Sequence, residues 1–301
     1  MKESYLDYIN ELASGIPKSI VDLSQPRRRS KPPSQAFSQF AIHREQGDWA
    51  EMLVTQALSS ILTDFDVIKY GKTDTVMAGE AGFKEFYNRY QDELDSIGKR
   101  PDILIFRKGV IPKLSDDISD VDFKQLGEIV PLALAGFEIR SSSFLSKKYK
   151  TAQQKSTTQK RTFLSFTPKV EDLMVVLKWI TIYRVPLYYV QVFFDAAYII
   201  PFHKILKIIS NPANKNRLFT IETSEKNQQK RTIHLDIGQG LHLGDISLPP
   251  EHYSAVKELD RGRLLYYVKF KGAKLELNHE TLDWVLDNAR RLAQGNFSDT
   301  L

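Results

Sequence analysis

Apolar residues in this chain follow two rhythms, the helical 3.6 and the extended 2. From about Gly47 to Leu62, residues Ala50, Leu53, Val54, Ala57, Leu58 and Ile61 recur at helical spacing and predict an amphipathic helix. Before it, Pro26, Pro32 and Pro33 punctuate residues 24–35, which predict no regular element. Residues 1–22 read as one amphipathic helix or two short ones. A strand is expected near Val67–Tyr70 and a helix near Phe83–Ile97. A short apolar strand, Ile103–Phe106, is entered through Pro101-Asp102. Residues 108–128 form an acidic insertion, and Ile129–Arg140 reads as a buried strand ending in charge.

The second half continues the alternation. Val170–Tyr183 carries Leu173, Val176, Leu177 and Ile180 on one helical face. Residues 187–194 and 197–202 read as a hairpin across Asp195-Ala196. Beyond 209 come strand-like pieces around Phe219, His234 and Tyr266, with turns at Gly238, Gly240 and Gly262. The glycines of GQGLHLG (238–244) precede no helix and read as a turn, not a phosphate loop. A closing helix has Asn278 as N-cap and Gly295 past its end. The class expected is α/β or α+β, a central mixed sheet flanked by helices with a β-rich C-terminal extension. The divisions expected are a helix and arm (1–44), a core (45–208) and the extension (209–301).

Composition narrows the classes. The 301 residues contain no Cys, which excludes disulfides, thiolate metal sites and a cysteine nucleophile. The N-terminus has no apolar signal core. The longest apolar stretch, Val185–Phe202, is broken by Gln191 and Asp195, so no membrane association is expected and a prokaryotic cytoplasm is. No Walker A, GxGxxG or GxSxG sequence is present, and no nucleotide cofactor is expected. The six histidines lack metal-binding spacing.

The net charge is only +5, yet Ile139–Val170 contains no Asp or Glu. That stretch holds Arg140, Lys147, Lys148, Lys150, Lys155, Lys160, Arg161 and Lys169, with Ser141 and Ser142 able to bond phosphates or base edges. Arg27, Arg28, Arg29 and Lys31 form a second basic cluster in the Pro-rich arm. Two such runs point to a polyanion. Three carboxylates stand between them. Asp102 precedes one strand and Glu138 ends another, with Arg140 on the same strand face. Glu51 lies on the flank of the apolar stripe of its helix. If the strands are neighbours, Asp102 and Glu138 can share a hard divalent cation such as Mg²⁺. Taken singly, each is as readily a turn residue, a structural ion pair or a solvated helix residue.

Gly47-Asp48-Trp49-Ala50-Glu51 on a helix, Pro101-Asp102 before a strand and Glu138-Ile139-Arg140 closing another resemble the PD-(D/E)xK nuclease superfamily. With the basic stretch and the later hairpin, the chain is more similar to type II restriction endonucleases than to repair nucleases. The resemblance covers roughly residues 45–202. It implies Mg²⁺ on Asp102 and Glu138, support from Glu51, and a charged third position at Arg140, where the family usually has Lys. Arginine keeps the charge but cannot deprotonate, so it acts electrostatically or another lysine substitutes. The expected function is Mg²⁺-dependent cleavage of double-stranded DNA at a short sequence, by a homodimer if the site is palindromic. A repair or RNA-processing nuclease on the same fold, or a DNA-binding protein without catalysis, are the alternatives.

Overall fold

The computed structural model describes residues 4–72, 76–112, 115–149, 163–224 and 230–297. One seven-stranded sheet organises them. Its strands are β1 (Phe65–Lys69), β2 (Ile103–Arg107), β3 (Ala135–Ser141), β5 (Leu187–Val192), β6 (Ala196–Pro201), β9 (Leu241–Ile246) and β12 (Leu275–Leu277), in that spatial order. Every neighbouring pair is antiparallel except β3 and β5, which run parallel. A parallel pair needs a crossover. Here it includes the helix α4 (Val170–Tyr183).

Alternation along the strands splits the core into two faces. Leu104, Phe106, Leu187 and Tyr189 pack with α4, α1 (Tyr5–Ser14) and α5 (Phe202–Ser210). Ile103, Ile105, Phe137, Ile139, Tyr188 and Val190 pack with α2 (Ser38–Ile61) and α6 (His279–Ala293). The expected mixed sheet between helices is what forms. Two smaller sheets flank it. One is β4 (Ser165–Phe166), β8 (Arg231–Asp236) and β7 (Phe219–Thr223) in that order; the other is the ribbon of β10 (Glu251–Leu259) and β11 (Arg263–Lys271). Strands β9 and β12 and helix α6, all from the stretch after 209, join the main sheet and its covering layer. No described helix is long and apolar enough to cross a membrane.

Helices α3 (Phe83–Ile97) and α4 have the expected bounds. Other elements differ for identifiable reasons. Helix α2 begins nine residues before Gly47, because its first turns pack Ala41 against Leu265 and Tyr267 of the distant ribbon. The N-terminal segment forms one helix, α1, set by a capping box between Ser4 and Asp7. Within Ile129–Arg140 only β3 is a strand. Val130–Leu132, containing Pro131, is a 3₁₀ turn. The strand expected to reach Phe202 ends at Pro201, where α5 begins unannounced. Its apolar face of Phe202, Ile205, Leu206 and Ile209 is buried. The last part of GQGLHLG opens strand β9, and Gly244 lets that strand approach the Glu276 backbone of β12 closely.

One glycine sets where α3 ends and how the chain turns towards β2. Gly98 caps α3 at φ 82°, ψ −162°, a region nearly reserved for glycine. A Cβ there would collide with the Val175 carbonyl oxygen of α4. The next residue, Lys99, donates its backbone N–H to that oxygen at 2.9 Å. Gly98→Ala is therefore expected to destabilise the fold by about 2 kcal/mol or more. Urea unfolding measures this, and an unchanged midpoint would contradict the packing described.

Candidate active site

The register of β2 against β3, Ile103 beside Phe137, brings Asp102 next to Glu138. Asp102 Oδ2 accepts the Ile139 N–H at 2.5 Å, which fixes its carboxylate against β3. Its backbone oxygen accepts N–H groups from Tyr70 (2.9 Å) and Gly71 (3.0 Å). Gly71 carries no side chain because Asp102 Cα would lie 2.8 Å from its Cβ.

Glu138 is 1% exposed, and a carboxylate so buried requires charge partners. Its Oε1 receives the Lys99 ammonium and, at 3.0 Å, Arg140 Nη2, while its Oε2 has no hydrogen-bond partner among the described residues. Arg140 also binds Asp172 Oδ2 on the first turn of α4, and Lys99 Nζ lies 3.5 Å from that oxygen. Burial opposes the charge on Asp172, but Lys99 and Arg140 outweigh it and hold its pKa below the ordinary range. Burial likewise opposes the charges on Lys99 and Arg140, and Glu138 and Asp172 reverse that and raise both.

The acids on the other side of the site are less fully compensated, with Asp48 3.8 Å from Arg44. Glu51, from α2, has its pKa pushed up to about 9 by burial and by repulsion from Asp102, Asp48 and Glu138. Asp102 is pushed up to about 7 by burial and Glu138, against Lys99, the Ile139 N–H and Arg140. Asp48, one turn before Glu51, is raised by burial. All of these line one cleft of about 710 Å³. Among the described residues no three His, Cys, Asp or Glu side chains close into a ready metal cage. A hard divalent cation that keeps waters needs fewer protein ligands. The unpartnered Glu138 Oε2 and the mutual repulsion of Asp102 and Glu51 fit such an ion.

The expected site residues divide by position. Glu51, Asp102, Glu138, Arg140, Ser141 and Ser142 line the cleft together. Ser142 is held through its N–H to Val192 (2.9 Å) and by Gln191 Nε2 on its hydroxyl (3.0 Å). Lys147 lies outside the cleft lining, largely exposed and 3.6 Å from Asp245, and Lys148 is exposed as well. In the arm, Arg27 and Arg29 clamp onto α3 through Asp95, with Gln91 and Asp92 helping. Arg28 and Lys31 stay exposed. Lys155, Lys160 and Arg161 lie outside the described residues.

Sequence reasoning passed over Lys99 and Asp172. Lys99 stands three residues before Asp102, a spacing that signals nothing until Gly98 turns the chain. Asp172 reads as an ordinary first-turn acid of a helix. Its role depends on where the crossover sets α4 down.

A family model described as AccI restriction endonuclease matches residues 3–159 and 155–291. No curated protein and no solved structure matches significantly. On that match, which takes in the arm, the acidic cleft and the strands beyond it, the chain belongs to the AccI restriction endonuclease family, whose members are DNA nucleases.

Proposed function

We propose that the chain is a type II restriction endonuclease of the PD-(D/E)xK kind, which hydrolyses phosphodiester bonds of double-stranded DNA at a short sequence with Mg²⁺. The observation that carries this reading is the pair Asp102, just before β2, and Glu138 on β3, side by side at the cleft, with Glu138 Oε2 unpartnered among the described residues. Asp102 and Glu138 would hold the ion, with Glu51 supporting from α2. Bound there, Mg²⁺ would supply Lewis-acid polarisation of the scissile phosphate.

The protein's own groups do the rest. The Ile139 N–H keeps the Asp102 carboxylate from rotating. Arg140, anchored on Glu138 and Asp172, sets a permanent positive charge beside the carboxylates. It stabilises negative charge developing on phosphate oxygens and takes no proton. Lys99 provides a second cation on the same Glu138 oxygen, in the neighbourhood where the family pattern has lysine. Ser141 and Ser142 continue β3 along the cleft and supply hydroxyls to the DNA. A palindromic target calls for two copies about a two-fold axis. Arginine in place of the usual lysine favours a second reading, a chain that binds DNA without cutting it.

Incubation with phage DNA separates these. Discrete fragments are expected with Mg²⁺ from the wild type, and intact DNA with EDTA or with Asp102→Ala. A smear would remove the sequence specificity. Intact but gel-shifted DNA in Mg²⁺ would favour the binding protein. A second expectation comes from Glu51. Its folded pKa lies above the ordinary value near 4.5, so its contribution to stability is full below that value and is lost as pH rises toward about 9. Without metal, Glu51→Gln should therefore stabilise the protein at pH 8 by on the order of 2 kcal/mol, while lowering cleavage. Near pH 4 the difference should vanish. Equal stability of the two proteins at pH 8 would show that Glu51 is not strained.

A further inference from the structure

The cations of the cleft are of two kinds. Lys99 and Arg140 are committed to Glu138 and Asp172, Lys72 to Glu93 at 3.2 Å, and Arg44 lies 3.8 Å from Asp48. Lys169 and Lys230 line the same cleft, are exposed, and have no acid within ion-pair range among the described residues. Backbone pairing sets them on one wall. Ile233 of β8 donates its N–H to the Pro168 oxygen at 2.9 Å, and Lys169 bridges Thr232 across the strands. Lys230 lies two residues from Thr232, so in extended chain the two point the same way. Thr232 also lines the cleft. This wall comes from β8 and the start of α4, whereas Asp48 and Glu51 come from α2.

We propose that Lys169 and Lys230, with Thr232 between them, bind phosphates of the DNA backbone beside the bond to be cut. This rests on the nuclease reading above and assigns that cleft its backbone contact. Charge complementarity is the argument. The acids of the cleft, Asp48, Glu51, Asp102 and Glu138, repel a polyanion wherever they are not compensated, and the lining cations Arg44, Lys72, Lys99 and Arg140 are already paired with acids. Two uncommitted ammonium groups and a hydroxyl offer the donors a phosphate takes. Lys147 and Arg27, expected from the sequence to grip the DNA, lie outside this cleft lining, 3.6 Å from Asp245 and 2.8 Å from Asp95.

The test is a fluorescence-anisotropy titration of a labelled 40-base-pair duplex at several KCl concentrations in EDTA, so that nothing is cut. For the Lys169→Gln/Lys230→Gln double variant, affinity should fall about tenfold and the salt slope should flatten by about one to two. Lys169→Arg/Lys230→Arg should restore both, and thermal melting of each variant checks that it is folded. Wild-type affinity and slope in a folded Gln variant would overturn the proposal. So would lost cleavage with binding unchanged, which would move these lysines into the chemistry. A wild type that neither binds nor cuts DNA would instead overturn the nuclease reading. A wild type that cuts, beside a variant that binds equally well, overturns only the wall.

Discussion

A carboxylate buried inside β3 is the constraint on which the site depends. Glu138 has almost no contact with solvent, and an unpaired charge there would cost several kcal/mol. Two cations meet that demand by different routes. Arg140 arrives through strand periodicity, two residues along the same face. Lys99 arrives through the chain reversal at Gly98, which no other residue could make against Val175. Both cations then meet Asp172, so the network closes on the side of α4. It stays open at Glu138 Oε2, which has no hydrogen-bond partner among the described residues.

The opposite side of the cleft has the reverse electrostatics. Glu51 is held by a helix whose Ala50, Leu53 and Val54 are locked into the core, so the helix cannot rotate to relieve repulsion. Asp102 is likewise fixed by the Ile139 N–H. A scaffold that holds like charges together against their own preference stores strain, and such arrangements concentrate at functional sites. A structural role for Asp102 and Glu51 would not require this, since either could face solvent at little cost. The same feature makes the protein sensitive to pH and to bound cations.

Much of the framework was legible in the sequence because it is written in local periodicity. The bounds of α3 and α4, the hairpin β5–β6 and the cap at Asn278 all follow from spacing and capping chemistry. Asp102, Glu138 and Glu51 were legible as carboxylates placed where strands and a helix flank could bring them together. Partners set by tertiary placement were not. Helix α2 starts early because of a ribbon more than two hundred residues away, and Lys99 and Asp172 become site residues only when α3 and α4 pack. The surroundings of the arm were hidden for a related reason. Arg27 and Arg29 read as free basic charge, but Asp92 and Asp95 on α3 neutralise them.

The single parallel pair in the sheet explains why these distant residues meet. Strands β3 and β5 can run side by side in one direction only if the chain between them crosses back over the sheet, and α4 is part of that return. Its first turn therefore lies over β3 and delivers Asp172 to Arg140. The residue just before that turn, Lys169, reaches the cleft together with β8, which pairs at that point. An antiparallel connection there would need only a short turn, and neither Asp172 nor Lys169 would come near Glu138. Among the described residues of the acid-free run from Ile139 to Val170, two cations line the cleft, Arg140 near its start and Lys169 near its end.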